Sequence, residues 1–135
     1  MNSASNEFLD SNVLVYAFTA DPRAEQAQRL LARGCKIGVQ GLNEFANVAR
    51  RELRMTWTEV REALAAIRTL CRAILPIDID AHTEALMLAE RYRYTIFDAL
   101  VLATALRADC GVLWSEDMQD GLVVNRRLRI VNPFR

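Results

Sequence analysis

The run Ala99-Leu-Val-Leu-Ala-Thr-Ala-Leu-Arg-Ala108 constrains this chain more than any other segment, because only Thr104 and Arg107 interrupt its apolar character. Thr95-Ile96-Phe97-Asp98 supplies a helix start just ahead of it, and Gly111 closes it. A helix that is apolar on nearly every side must be enclosed by other elements. It is too short for a bilayer, which needs about 20 apolar residues. The rest of the chain therefore has to build layers around it.

Periodicity supplies those layers. Glu7–Asp10, Lys36–Val39, Ala73–Ile77, Val112–Trp114 and Leu128–Val131 read as short strands. Pro76 in the third argues for an edge position, since proline cannot donate to a ladder. Helices fill the gaps. One begins within Val13–Phe18. Asp21-Pro22 opens the next, which carries Ala24, Ala27, Leu30 and Leu31 at helical spacing and stops at Gly34. Gln40-Gly41 ends the second strand, and a helix follows from Leu42 or Asn43 to about Arg54. Thr56-x-x-Glu59 forms a capping box for a helix with Val60, Leu64, Ile67 and Cys71 on its stripe. Asp80 caps a further helix with Ala81, Ala85, Leu88, Ala89 and Tyr92 inward. Strands alternating with helices predict an α/β fold with a central, mostly parallel sheet. No linker, repeat or low-complexity segment divides the 135 residues, so a single domain over 1–135 is expected.

Composition narrows the chemistry. With 52% hydrophobic residues, the chain can form a core without metal or disulfide staples. Cys35, Cys71 and Cys110 are far apart, no CxxC occurs, and His82 is the only histidine, so neither a zinc site nor a disulfide framework is expected. His82 reads as a surface or cap residue. The first residues, Met1–Glu7, lack a basic segment followed by an apolar one, which makes the cytoplasm the expected location. The 17 basic and 17 acidic residues balance, so net charge does not announce a nucleic-acid partner.

Four acids stand out instead. Asp10 ends an apolar strand, Glu44 sits at a helix start, Asp98 lies among Ile96, Phe97, Ala99 and Leu100, and Asp117 follows the strand ending at Trp114. Ligand sites in parallel sheets lie at the carboxyl ends of strands, which places Asp10 and Asp117 at one edge. Each acid alone has an ordinary explanation as a turn residue or a helix-start charge. Four carboxylates gathered together repel, and a divalent cation removes that repulsion. All-oxygen donors favour Mg²⁺, with Mn²⁺ as a substitute, over Zn²⁺.

These residues fall in segments that resemble the motifs of PIN-domain nucleases. Phe8-Leu9-Asp10-Ser11-Asn12-Val13-Leu14-Val15-Tyr16 resembles their opening signature, and Gln40-Gly41-Leu42-Asn43-Glu44-Phe45 their second motif. Tyr94 to Ala105 resembles the third, and Leu113 to Gly121 the fourth. The compact length is similar to that of VapC-type toxins of bacterial toxin–antitoxin pairs. The resemblance implies a PIN-like three-layer sandwich with four to five strands, and an Mg²⁺-dependent endoribonuclease whose quartet is Asp10, Glu44, Asp98 and Asp117. Asp10 and Asp98 would be the metal ligands. It implies supporting roles for Asn12 and Ser115, while Asp120 reads equally as a supporting acid or a turn residue. It also implies an RNA substrate, a small VapB-type antitoxin as inhibitor, and a homodimer.

Arg50, Arg54 and Arg93 are candidates for RNA phosphate contacts, with Trp57 and Tyr94 as base-stacking candidates. Trp114 reads as core. Two other readings stay open on the residues alone. An aspartate-based phosphotransferase or phosphatase could use Asp10, although Asn12 replaces the second Asp of haloacid-dehalogenase-like enzymes and Lys36 is the only lysine. A non-catalytic binding module with a degenerate acidic pocket is the other.

Overall fold

The structure, a computed structural model, describes residues 6–135. Its six-stranded sheet runs in the order β3-β2-β1-β4-β6-β5. The strands are β1 (Glu7–Leu9), β2 (Lys36–Gly38), β3 (Ala73–Leu75), β4 (Val112–Trp114), β5 (Val123–Val124) and β6 (Leu128–Val131). All neighbours pair in parallel except β5, which runs antiparallel to β6. The α/β expectation therefore holds, with one more strand than expected. β5 spans two residues, too short for any periodicity to announce it. β3 lies at the sheet edge and stops just before Pro76.

Alternation along the strands splits the interior into two cores. Phe8 and Leu113 point to one face, where α5 (Ile79–Tyr92) and α6 (Ile96–Arg107) pack. Leu9 and Trp114 point to the other, under α1 (Ser11–Tyr16), α2 (Ala24–Ala32), α3 (Val39–Arg51) and α4 (Trp57–Leu70). The almost wholly apolar run forms α6. Its residues Ala99 and Val101 to Leu106 are buried, so it is enclosed as its composition requires. Among the described residues, no helix is long and apolar enough to cross a membrane.

Three helix starts differ from expectation. α3 begins at Val39 with Gly38 as its cap, so Gln40 and Gly41 lie inside its first turn. A glycine near a helix end costs only about 1 kcal/mol, which the buried Phe45 and Ala49 on the same helix outweigh. Glu44 consequently sits in the second turn. α2 begins at Ala24, because the Asp21 carboxylate accepts from the Arg23 amide at 2.8 Å and closes a turn of its own. Asp78, not Asp80, caps α5, accepting from the Ala81 amide at 2.8 Å. The Thr56–Glu59 box forms in full, with bonds of 3.1 and 2.8 Å. Thr56→Ala is expected to lower stability by about 1 kcal/mol, read as a lower urea midpoint at unchanged slope.

Glu7 on β1 is a buried acid that no local pattern singles out. It is 8% exposed, with Arg33 at 2.6 Å and the Trp114 indole N–H at 3.0 Å. Burial alone would push its carboxyl up, but the bonds from Arg33 and Trp114 and the Arg33 charge hold it below the usual range.

Candidate active site

Asp10 follows β1 directly. Its amide extends the ladder to the Trp114 carbonyl at 3.0 Å, and its carboxylate caps α1 by accepting from the Ser11 amide at 2.7 Å. Ser115 follows β4, the parallel neighbour of β1, and its fully buried hydroxyl donates to Asp10 Oδ2 at 2.8 Å. Asn12 lies in the first turn of α1. Its Nδ2 donates to Asp117 Oδ2 at 3.2 Å and lies 3.4 Å from Asp10 Oδ2, and its Oδ1 accepts from the Glu116 amide. Asn12 thus bridges two of the acids across the two central strands.

The other two acids come from helices. Glu44 projects from α3 and accepts from Gln40 Nε2 at 3.2 Å. Asp98 lies in the first turn of α6, whose cap Thr95 accepts from the Asp98 amide at 3.2 Å. All four carboxylates line one pocket of about 270 Å³, with Ser11, Asn47, Val48 and Val101 completing its walls.

Among the described residues, no ion pair balances the charge of this pocket. Seven ion pairs join other acids to arginines, and none of them includes Asp10, Glu44, Asp98 or Asp117 among the described residues. Asp10, 7% exposed, is pushed up from 3.8 to about 6 by burial, only partly countered by Ser115 and the Ser11 amide, with Glu44 and Asp98 adding repulsion. Asp98 is raised by burial and then by Asp117 and Glu44. The two ends of β1 thus carry acids with opposite outcomes: Glu7 at its start has its arginine, and Asp10 just past its last residue has, among the described residues, only neutral donors and like charges.

The donor set fits a hard divalent cation, all carboxylate oxygen with a buried, uncompensated member. The four do not form a closed cage. Among the described residues, no three His, Cys, Asp or Glu side chains are arranged ready to hold an ion. The sequence expectation of four tightly converged acids is corrected to that extent: they share one pocket without forming a ready-made cluster.

A family model described as PIN domain matches residues 8–119. The chain belongs to the PIN domain family. Solved structures with the same fold include a Klebsiella pneumoniae toxin–antitoxin complex, at 21% identity and TM-score 0.73, covering 94% of this chain and 97% of that one. Mycobacterium tuberculosis VapC20, a Sarcin-Ricin loop cleaving toxin, matches at 21% identity and TM-score 0.67, covering 82% and 89%. Rickettsia felis VapBC2, bound to a DNA fragment from its promoter, matches at 16% identity and TM-score 0.66, covering 93% and 98%. No curated protein matches the chain.

Other residues singled out in the sequence lie around this PIN-domain pocket in different ways. Asp120 is not among its lining residues. Its carboxylate accepts from the Asn132 amide at 2.8 Å and Arg135 at 3.3 Å, which ties down the last residues. Arg50 lies 4.6 Å over the Trp57 ring and donates to the Met55 carbonyl, while Arg54 and Arg93 adopt left-handed backbone conformations at φ 57 and 61. None of these arginines lines the acidic pocket. Trp114 is half-buried in the α1–α4 core, and His82 is exposed on α5.

Asn47, Ser11 and Gln40 were not singled out. Asn47 and Gln40 fall three and four residues either side of Glu44, a helical spacing that marks neighbours once α3 is extended back to Val39. Ser115→Ala removes the hydroxyl donor to Asp10. It is expected to weaken Mn²⁺ binding about 10-fold, measured by calorimetric titration, with a stability change near ~1 kcal/mol.

Proposed function

We propose that this PIN domain is an Mg²⁺-dependent endoribonuclease, with Mn²⁺ as a substitute, acting as the toxin of a type II toxin–antitoxin pair. The observation that carries the reading is the pocket of four carboxylates without a basic partner among the described residues. Asp10 and Asp98 would be the principal ligands, with Glu44 and Asp117 completing the negative wall. A cation held there would polarise a scissile phosphate and lower the pKa of a water, so that hydroxide is available as the nucleophile near neutral pH once the proton passes to solvent. Ser115 and the Ser11 amide hold Asp10 in one orientation. Asn12 keeps Asp117 beside it.

The named neighbours also support a partner. A VapB-type antitoxin placing an arginine among the carboxylates would satisfy the charge that the cation satisfies. A homodimer is proposed on the same likeness.

The test is cleavage of RNA by the purified chain. Cleavage is expected with Mg²⁺ or Mn²⁺, to be lost in EDTA, and to leave 5′-phosphate ends. RNA left intact under every metal condition contradicts the proposal. Radiolabelled phosphate transferred onto Asp10 would establish the phosphotransferase in its place.

A further inference from the structure

Gln40 makes bonds that no structural need of α3 requires. Its Nε2 donates to Glu44 Oε2 at 3.2 Å and to the Phe97 carbonyl at 3.1 Å. Phe97 precedes Asp98 in the first turn of α6, so one amide group joins the two helices that carry Glu44 and Asp98. Gln40 is 9% exposed, and its Oε1 is the single buried side-chain polar atom without a partner among the described residues. Turning the amide over would set that oxygen against a carboxylate and a carbonyl, both acceptors, so the orientation is fixed by its neighbours.

Gln40 also lines a small cavity behind the pocket, together with Asp10, Ser11, Gly38 and Thr104. Its volume is about 10 Å³, and Phe8, Leu9, Ile77 and Val101 make most of its wall apolar. A buried acceptor left bare costs about 1–3 kcal/mol, a cost that the two bonds donated by Nε2 have to offset.

We propose that Gln40 is a positioning residue that fixes Glu44 and the start of α6 relative to each other. The inference rests on the metal-dependent reading of the same pocket. Among the described residues, Glu44 has no basic partner, and the Gln40 amide is the hydrogen bond that ties its helix to Phe97, so this amide sets where the Glu44 carboxylate can go. Residues that orient a metal-ligating side chain commonly matter about 10–100-fold for metal affinity.

The test is a double-mutant cycle read by calorimetric titration of the purified chain with Mn²⁺. Gln40→Met keeps the length and apolar stem and removes both the donor and the orphaned acceptor, so the fold is expected to survive with little change in melting temperature. Mn²⁺ affinity is expected to fall about 10-fold. In a Glu44→Ala background, which has no side-chain acceptor for Gln40 Nε2, Gln40→Met is expected to change Mn²⁺ affinity less than about 2-fold, because the residue acts through Glu44. An equal loss in both backgrounds, or no loss in the first, overturns the proposal.

A second measurement needs no variant. The Gln40 side-chain amide resonances of the wild type are expected to shift on adding Mg²⁺, and an unmoved pair would also overturn it. A wild type that binds no divalent ion overturns the metal reading and this inference with it. A wild type that binds normally while Gln40→Met matches it overturns this inference alone.

Discussion

Asp10→Asn is expected to abolish RNA cleavage and, in the absence of metal, to make the protein more stable. The loss of activity follows from removing the most buried carboxylate of the pocket proposed to hold the cation. The gain in stability follows from the same burial. At neutral pH the wild type keeps a carboxylate ionised where burial favours the acid, with its carboxyl raised from 3.8 to about 6. A shift of that size corresponds to about 3 kcal/mol of penalty.

In the variant, the carboxamide oxygen would still accept from the Ser11 amide, and the Ser115 hydroxyl can rotate to accept from the new NH₂. Asn12 Nδ2, now 3.4 Å from Asp10 Oδ2, would lose that weak acceptor. A net gain of about 2 kcal/mol is expected at pH 7, or roughly 5–10 °C in melting temperature.

The pH dependence follows from the same shift. Because the folded carboxyl titrates above its ordinary 3.8, the folded state holds its proton more tightly. The stability this contributes is present in full below pH ~4 and is lost as pH rises through about 6. The advantage of Asp10→Asn over the wild type should therefore grow between those values and level off above them. Denaturation at pH ~4, ~5, ~6 and ~7.5 checks this, and an advantage that is constant or shrinks with rising pH contradicts it.

Glu7→Ala is expected to do the reverse, on the same strand. Glu7 is nearly as buried as Asp10 but is paired with Arg33 at 2.6 Å, with Trp114 Nε1 as a second donor. Removing one member of a buried pair commonly costs about 3–5 kcal/mol. The Arg33 side chain is 43% exposed and can turn to water, which puts the loss lower, at about 2–3 kcal/mol. Much of that arises from the Trp114 indole N–H left without its acceptor. The urea midpoint at pH 7 should fall accordingly, while the chain that remains folded still binds Mn²⁺. A loss under about 1 kcal/mol would mean that the Glu7 cluster does not hold β1 against α2.

The contrast between these two acids shows what the chain does and does not declare. Asp10 and Asp117 are readable because each follows an apolar strand, and parallel pairing of β1 with β4 then sets them side by side. The burial of α6 is readable because its composition leaves no solvent face. Glu7 is not readable, because its partner Arg33 lies across the β1–α2 packing and no local pattern links them. Gln40 is hidden for a different reason. Gln40-Gly41 has the look of a strand end, and only tertiary packing of α3 carries the helix back to Val39 and puts Gln40 one turn before Glu44. Asp78 and Asp80 are both fair caps by type, and the backbone entering α5 decides for Asp78. The closeness of the four carboxylates is likewise a matter of degree that residue spacing overstates.

The central claim is that a buried negative charge at Asp10 lacks a cationic partner among the described residues and is relieved by a divalent cation. Thermal melts of wild type and Asp10→Asn at pH ~7.5, each with and without Mn²⁺, test it most directly. Without metal the variant should melt higher. Saturating Mn²⁺ should raise the wild type by several degrees, about 3 kcal/mol at roughly 100 times the dissociation constant, and leave the variant nearly unmoved. Equal metal-induced shifts in both proteins, or a variant that melts below the wild type without metal, would contradict the claim.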